Sequence, residues 1–130
     1  MSHPHKEIHG YRTITDETFQ DDVLTSPEVV LVEFYRNSCS SCGLFEPTLA
    51  RLYYHYQGRF KFLRYNTDLG HYFTQKYNIV GEPTTAIFYQ GELQGTVVGA
   101  SALSMFESQL RPILVTMANK YNLPPITRFQ

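Results

Sequence analysis

The chain contains two cysteines, Cys39 and Cys42, and both lie in the heptapeptide "NSCSSCG", residues 37 to 43. Thiols this close suit three kinds of chemistry. They can form a redox couple that cycles between dithiol and disulfide, they can supply half of a metal site, or they can be inert and buried. A zinc site calls for four ligands, commonly a second Cys-x-x-Cys or a His pair. No second cysteine pair exists here, and His55 and His71 are not at ligand spacing, so zinc would have to be shared across a dimer. Two inert thiols would fit an apolar helix better than a Ser-Ser turn.

The elements around the pair favour redox chemistry. Val29 to Tyr35 is a nearly continuous run of β-branched and aromatic residues, as expected of a strand covered on both faces. Helical periodicity follows at Leu44, Phe45, Leu49, Leu52 and Tyr53, and Gly58 ends it. Cys39 therefore falls at the carboxyl end of a buried strand, where reactive groups of α/β sheets gather. It also opens a helix, whose free N–H groups and partial positive charge favour a thiolate. The thiolate is the nucleophile of disulfide exchange. Cys42, three residues on, lies on the same side of the first turn and is the more buried, resolving sulfur.

Glu33 stands out within the same apolar strand. Burying a carboxylate costs several kcal/mol, on the order of the penalty for any buried ion, unless it is paired, hydrogen-bonded or protonated.

The remaining chain divides by periodicity and turn signals. Tyr11 to Ile14 suggests an edge strand; Thr15 caps a helix with Asp16 and Glu17 in its first turn, and Ser26-Pro27 ends it. A strand at Phe60 to Tyr65 precedes a helix from about Asp68 to Tyr77. Thr84 to Tyr89 and Gln94 to Gly99 form a hairpin through Gly91-Glu92. The final helix carries Leu103, Phe106, Leu110, Ile113 or Leu114, and Met117 on one face, and Pro112 should kink or split it. The order β-α-β-α-β-α-β-β-α implies an α/β fold with a mixed sheet covered on both faces.

With 130 residues the chain suits one domain, and no repeat or boundary interrupts it. Residues 1–10 are expected to form a flexible N-terminal segment, 11–118 the domain and 119–130 a tail that either packs along the sheet or trails free. His3, His5 and His9 read as part of a polar terminus rather than a metal tract. A formal net charge of −1 and the lack of any basic run argue against nucleic acid as a partner. No apolar stretch approaches the roughly 18 to 20 residues that span a bilayer, and the N-terminus has no apolar signal segment. The expected setting is therefore the cytoplasm, with no membrane partner.

Longer stretches carry a resemblance. "TDETFQDDVLTSPEVVLVEFY" followed by "CSSC" resembles the N-terminal half of thioredoxins, and "YNIVGEPTTAIFYQGELQGTVVGA" is similar to their cis-proline segment and closing hairpin. Pro47 matches the proline that kinks the family's active-site helix. The resemblance implies a thioredoxin fold, with a mixed sheet of about five strands and about four helices. It also implies a thiol–disulfide oxidoreductase that reduces protein disulfides without a cofactor and is recycled by a partner disulfide reductase. Pro83 would be a cis-proline packed opposite Cys39, with Glu82, Pro83 and Thr84 meeting an extended substrate. Glu33 matches a family aspartate and would serve, with a pKa raised by burial, as general acid/base for Cys42. Arg64 stands where the family has a lysine and would compensate the charge of Glu33.

Three departures bear on tuning. Thioredoxins usually read Trp-Cys-Gly-Pro-Cys, whereas this chain reads Ser38-Cys39-Ser40-Ser41-Cys42 and has no tryptophan. The serine hydroxyls can donate to a thiolate. Glu82 precedes the proline where the family has an apolar or uncharged residue. Facing the sulfur, it would raise the Cys39 pKa and favour basic substrates; facing solvent, it would be screened. A different class of function, a thioredoxin-fold interaction module with a regulatory or weakly active cysteine pair, would be favoured if Tyr53, Tyr54 and Tyr56 were exposed. Disulfide formation in an oxidising compartment would require an export signal.

Overall fold

The side chains of a strand alternate between its two faces, and in Val30–Tyr35 that alternation divides the core. Val30, Val32 and Phe34 join a cluster with Ile14, Phe19, Val23, Leu63, Tyr65, Phe73 and Phe88. Leu31 joins the other, with Phe45, Leu49, Leu52, Phe62, Ile87, Phe106 and Leu110. Glu33 and Tyr35 share the second face. The computed structural model describes residues 7–129; His3 and His5 lie outside them.

Nine elements build this arrangement. They are β1 (Arg12–Ile14), α1 (Asp16–Phe19, widening into a π turn over Gln20–Leu24), β2 (Val30–Tyr35), α2 (Ser40–Tyr56), β3 (Lys61–Asn66), α3 (Tyr72–Lys76), β4 (Thr84–Tyr89), β5 (Glu92–Val98) and α4 (Leu103–Tyr121). The sheet order is β1-β3-β2-β4-β5. β1 and β2 run parallel to β3, while β4 is antiparallel to both β2 and β5. The expected five-stranded mixed sheet with four helices is present. α2 and α4 supply the apolar cluster on one face, and α1 and α3 supply that on the other.

Local chemistry moved several boundaries. α3 begins at Tyr72 rather than near Asp68, because the backbone N–H of Asp68 donates to Asn66 Oδ1 at 3.0 Å and that of Leu69 to the Asn66 carbonyl at 3.1 Å. These bonds make a turn out of what the pattern offered as a first helical turn. The hairpin turns at Gln90-Gly91, both at positive φ (51° and 79°), so β5 starts at Glu92 instead of Gln94. Pro112 does not split α4, which runs unbroken to Tyr121. Proline removes one intrahelical bond, and the stripe of Phe106, Leu110, Leu114 and Met117 buries both halves against the same core.

Neither end of the described chain trails free. Ile8 is buried in the α2/α4 cluster, so packing starts before Tyr11. Beyond α4, residues 122–129 fold back as a strap over α2 and α4 rather than along the sheet. Leu123 and Ile126 pack on the core, Arg59 Nε donates to the Thr127 carbonyl at 3.1 Å, and Arg128 pairs with the buried Glu107. Tyr56 donates to the same carboxylate at 2.6 Å. The strap, α4 and Tyr56 line a half-open cavity of about 560 Å³.

Candidate redox site

β2 delivers Tyr35 to the carboxyl edge of the sheet, and the loop Arg36–Ser38 carries the chain to α2. Asn37 fastens this loop to the end of β3: its N–H donates to Asp68 Oδ2 at 2.8 Å, and its side-chain oxygen accepts from Asn66 Nδ2 at 3.1 Å. The Thr67 N–H closes on the Tyr35 carbonyl at 2.7 Å. Cys39 is the extended N-cap of α2, with φ −112° and ψ 104°. Its Sγ accepts the Cys42 N–H at 3.1 Å, as an N-cap side chain should.

Cys39 and Cys42 form a disulfide with Cα atoms 5.2 Å apart. Cys39 is 7% exposed and Cys42 fully buried. The sulfur expected to attack is thus the one nearer solvent, and the expected resolving sulfur is covered. Ser41 Oγ lies 3.4 Å from Cys39 Sγ, while Ser38 and Ser40 are exposed. Of the three serines, Ser41 alone has a recorded contact with a sulfur among the described residues. Pro47 lies within α2 and is exposed; its missing N–H releases the carbonyl of Gly43, at the cysteine end of the helix.

Glu33 and Arg64 are register partners on adjacent strands, and Arg64 reaches Glu46 of α2. Arg64 Nε donates to Glu33 Oε1 at 2.7 Å, with side-chain exposures of 3% and 0%. The Arg64 head group also lies 3.7 Å from Glu46 and 4.0 Å from the centroid of the Tyr35 ring. Tyr35 in turn clusters with both cysteines. One guanidinium therefore joins two carboxylates to the aromatic wall of the redox pair. The partly buried Tyr11 donates its phenol to the Leu49 carbonyl at 2.8 Å, and desolvation, followed by the charge of Glu33, pushes its pKa well above the usual tyrosine range.

The second wall is the segment before β4. The Glu82–Pro83 bond is cis, and the Glu82 carbonyl lies 3.5 Å from Cys39 Sγ. Pro83 is buried, and its carbonyl accepts the Gly99 N–H at 2.8 Å. Its neighbours Thr84 and Glu82 are both engaged within the protein. The Thr84 side chain is buried and donates to the Gly81 carbonyl at 2.6 Å, bracing the turn. The Glu82 side chain neither faces the sulfur unanswered nor stands out in solvent; Arg36 Nε lies 3.4 Å from its Oε1.

Tyr35, Arg36, Asn37, Asn66 and Asp68 were not picked out from sequence. Their common signal was position, since all lie at or just past the carboxyl ends of β2 and β3. The three neighbouring tyrosines separate: Tyr56 is buried, Tyr53 packs on Phe62 with ring centroids 5.1 Å apart, and Tyr54 is 54% exposed. Among the described residues no group of three or more His, Cys, Asp or Glu could hold a metal ion. No described helix is long and apolar enough to cross a membrane.

Comparison with known proteins agrees with this geometry. The thioredoxin family profile matches residues 10–112. The chain is 33% identical over 97 residues to a thioredoxin of Pseudomonas aeruginosa, covering 75% of this chain and 90% of that one. It is 32% identical over 97 residues to a thioredoxin of Allochromatium vinosum, covering 75% and 91%. It is also 34% identical over 91 residues to the chloroplastic M-type thioredoxin of Brassica napus, covering 70% of this chain and 51% of that protein. The matched region spans about half the length of the chloroplastic relatives. A cysteine pair at the N-terminus of α2, a cis-proline opposite it and a profile match over most of the chain lead to one assignment: the protein belongs to the thioredoxin family.

Proposed function

We propose that the protein is a thiol–disulfide oxidoreductase that reduces protein disulfides through Cys39 and Cys42. The observation that carries this reading is the Cys39–Cys42 disulfide at the N-terminus of α2, with the outer sulfur accepting a backbone N–H. In the dithiol form the same N–H, together with the helix terminus, stabilises negative charge on Cys39.

The Cys39 thiolate attacks one sulfur of the substrate disulfide, forms a mixed disulfide and expels the other as a thiolate, which takes a proton. Cys42 then loses its proton and attacks Cys39 Sγ, releasing the second substrate thiolate. Two electrons pass to the substrate, and the Cys39–Cys42 disulfide remains. We assign Glu33, held by Arg64 on the face covered by α2, as the group that takes the Cys42 proton. A segment of substrate laid beside Glu82 and Pro83 would reach Cys39 by strand addition. A partner disulfide reductase must return two electrons, so a reducing compartment such as the cytoplasm suits the cycle.

The test is insulin reduction by pre-reduced protein under turnover with a dithiol. Wild type should accelerate it, and Cys39→Ser should remove the acceleration. Equal inertness of the two, with a partner captured alike by oxidised and reduced protein, would replace this reading with that of an interaction module.

A further inference from the structure

The strap runs back along α4, antiparallel to it, and is tied down at both ends. At the near end the Leu123 N–H donates to the Ala118 carbonyl at 2.9 Å. At the far end Arg128 Nε donates to Glu107 Oε2 at 2.8 Å, and the Phe129 N–H to the His55 carbonyl at 2.5 Å. Between these ties the cavity of about 560 Å³ stays half open, and its walls are graded. Leu114, Val115 and Ala118 of α4 with Leu123, Pro125 and Ile126 of the strap make an apolar end, where Val115 is 53% exposed. Glu107, Arg111 and Arg128 make the other end, so two guanidiniums stand there against one carboxylate. Arg128 and Tyr56 already engage Glu107. Arg111 is exposed, and its guanidinium makes no ion pair or hydrogen bond among the described residues. The strap, and α4 from Ile113 onward, lie past the region matched by the family profile.

We propose that this cavity is a binding site for a small amphipathic carboxylate, an aliphatic chain of medium length ending in one anionic group. Its volume falls in the range of about 300–1,000 Å³ in which apolar walls and a few polar groups hold small molecules. The carboxylate pairs with Arg111 through the planar fork of the guanidinium. The chain lies along α4 towards Leu123. From Arg111 to Ala118 the helix rises about 10 Å, which sets a medium chain length. The apolar walls are aliphatic, and Tyr56 is the one aromatic lining residue, so a flexible alkyl chain fits them better than a flat ring system. The excess guanidinium disfavours a cationic amphiphile at the same place. This site is separate from the exchange chemistry. Tyr56 ends α2 and Cys39 caps its start, about 25 Å away along the helix axis.

Decanoate is the probe, titrated below its micelle-forming concentration into the isotope-labelled full chain and followed by amide chemical shifts. Acetate and decylammonium are the comparators. Saturable shifts should centre on Ala118, Leu123 and Thr127, and acetate, which lacks the chain, should give none. Decylammonium, with the same chain and the opposite charge, should bind about two- to ten-fold more weakly. Arg111→Gln should weaken decanoate about two- to five-fold and narrow that difference. Val115→Asp, at an exposed position, puts a like charge on the apolar wall and should weaken decanoate more than decylammonium. Both variants should keep the wild-type Tm within a few degrees, since neither position is buried. The absence of saturable shifts overturns the inference, as do shifts centred on the cysteines or equal affinity for the two head groups. So does an Arg111→Gln variant that binds decanoate as wild type does.

Discussion

Glu33 and Arg64 pose the sharpest question at the scale of single residues, because neither is tolerable alone. Each is essentially without solvent exposure, and they share a 2.7 Å hydrogen bond. Removing either partner takes a 2.7 Å ion pair from the other, buried charge, at a cost of about 3–5 kcal/mol. Replacing both with apolar side chains is far less harmful. Glu33→Leu and Arg64→Leu should therefore each lower the urea midpoint steeply, while the double variant recovers most of the loss. If the double variant loses the sum of the single losses, the pair is not coupled and its partners lie elsewhere. Part of this was legible in sequence: a carboxylate within Val30–Tyr35 has to be paired, hydrogen-bonded or protonated, and the resemblance to thioredoxins pointed to Arg64 as its cation. Arg36 was not legible as the partner of Glu82. The two meet only because β2 and β4 are neighbours, and a sequence pattern does not give strand order across a crossover. Tyr35 was hidden for the opposite reason: an aromatic in a buried strand is ordinary until its neighbours are known.

Whole elements were easier to read where the hydrophobic period was long, as in α2 and α4, than where side chains compete for backbone groups. Asn66 and Asp68 redirected the start of α3 through bonds to the backbone that no hydropathy pattern encodes. A comparable local device fixes the N-terminal segment to α2. Gly10 has φ +89°, and a Cβ there would come within 2.3 Å of the Tyr53 ring. Gly10→Ala combines an unfavourable backbone with a clash and should cost about 1–3 kcal/mol. Urea denaturation measures the loss. Stability equal to wild type would mean that the segment before β1 shifts away freely. Insulin reduction by the folded variant should persist, because this seam lies away from the cysteines.

For the molecule as a whole, the strap ties the last residues to α2 and α4 through one charged centre. Hydrogen bonding to Arg128, helped by Tyr56, holds the Glu107 carboxyl below its ordinary value of 4.5. A lowered folded-state value means stability that is complete above the unfolded value and is lost as pH falls through the folded one. Tyr56 behaves oppositely: burial and Glu107 push its phenol up to about 12, so its contribution is complete below 10 and fades as pH rises towards 12. Glu107→Gln should lower Tm most near neutrality, by a few degrees, on the order of 1–2 kcal/mol for a charge-assisted pair with one exposed partner. Its deficit should shrink as pH falls below 4.5 and through the lowered folded-state value, where wild type also loses the charge. A Tm difference that stays constant into acid would show that the lost contact is packing rather than charge.

Tyr35 gives the redox state an optical address. It clusters with both cysteines, and the chain has no tryptophan to collect and dominate the emission of its ten tyrosines. Opening the Cys39–Cys42 bond removes a quencher from contact with that one ring. Intrinsic tyrosine fluorescence can thus follow the dithiol–disulfide cycle with no label attached. A single tryptophan placed elsewhere would obscure the signal, so its absence is an experimental convenience built into the composition.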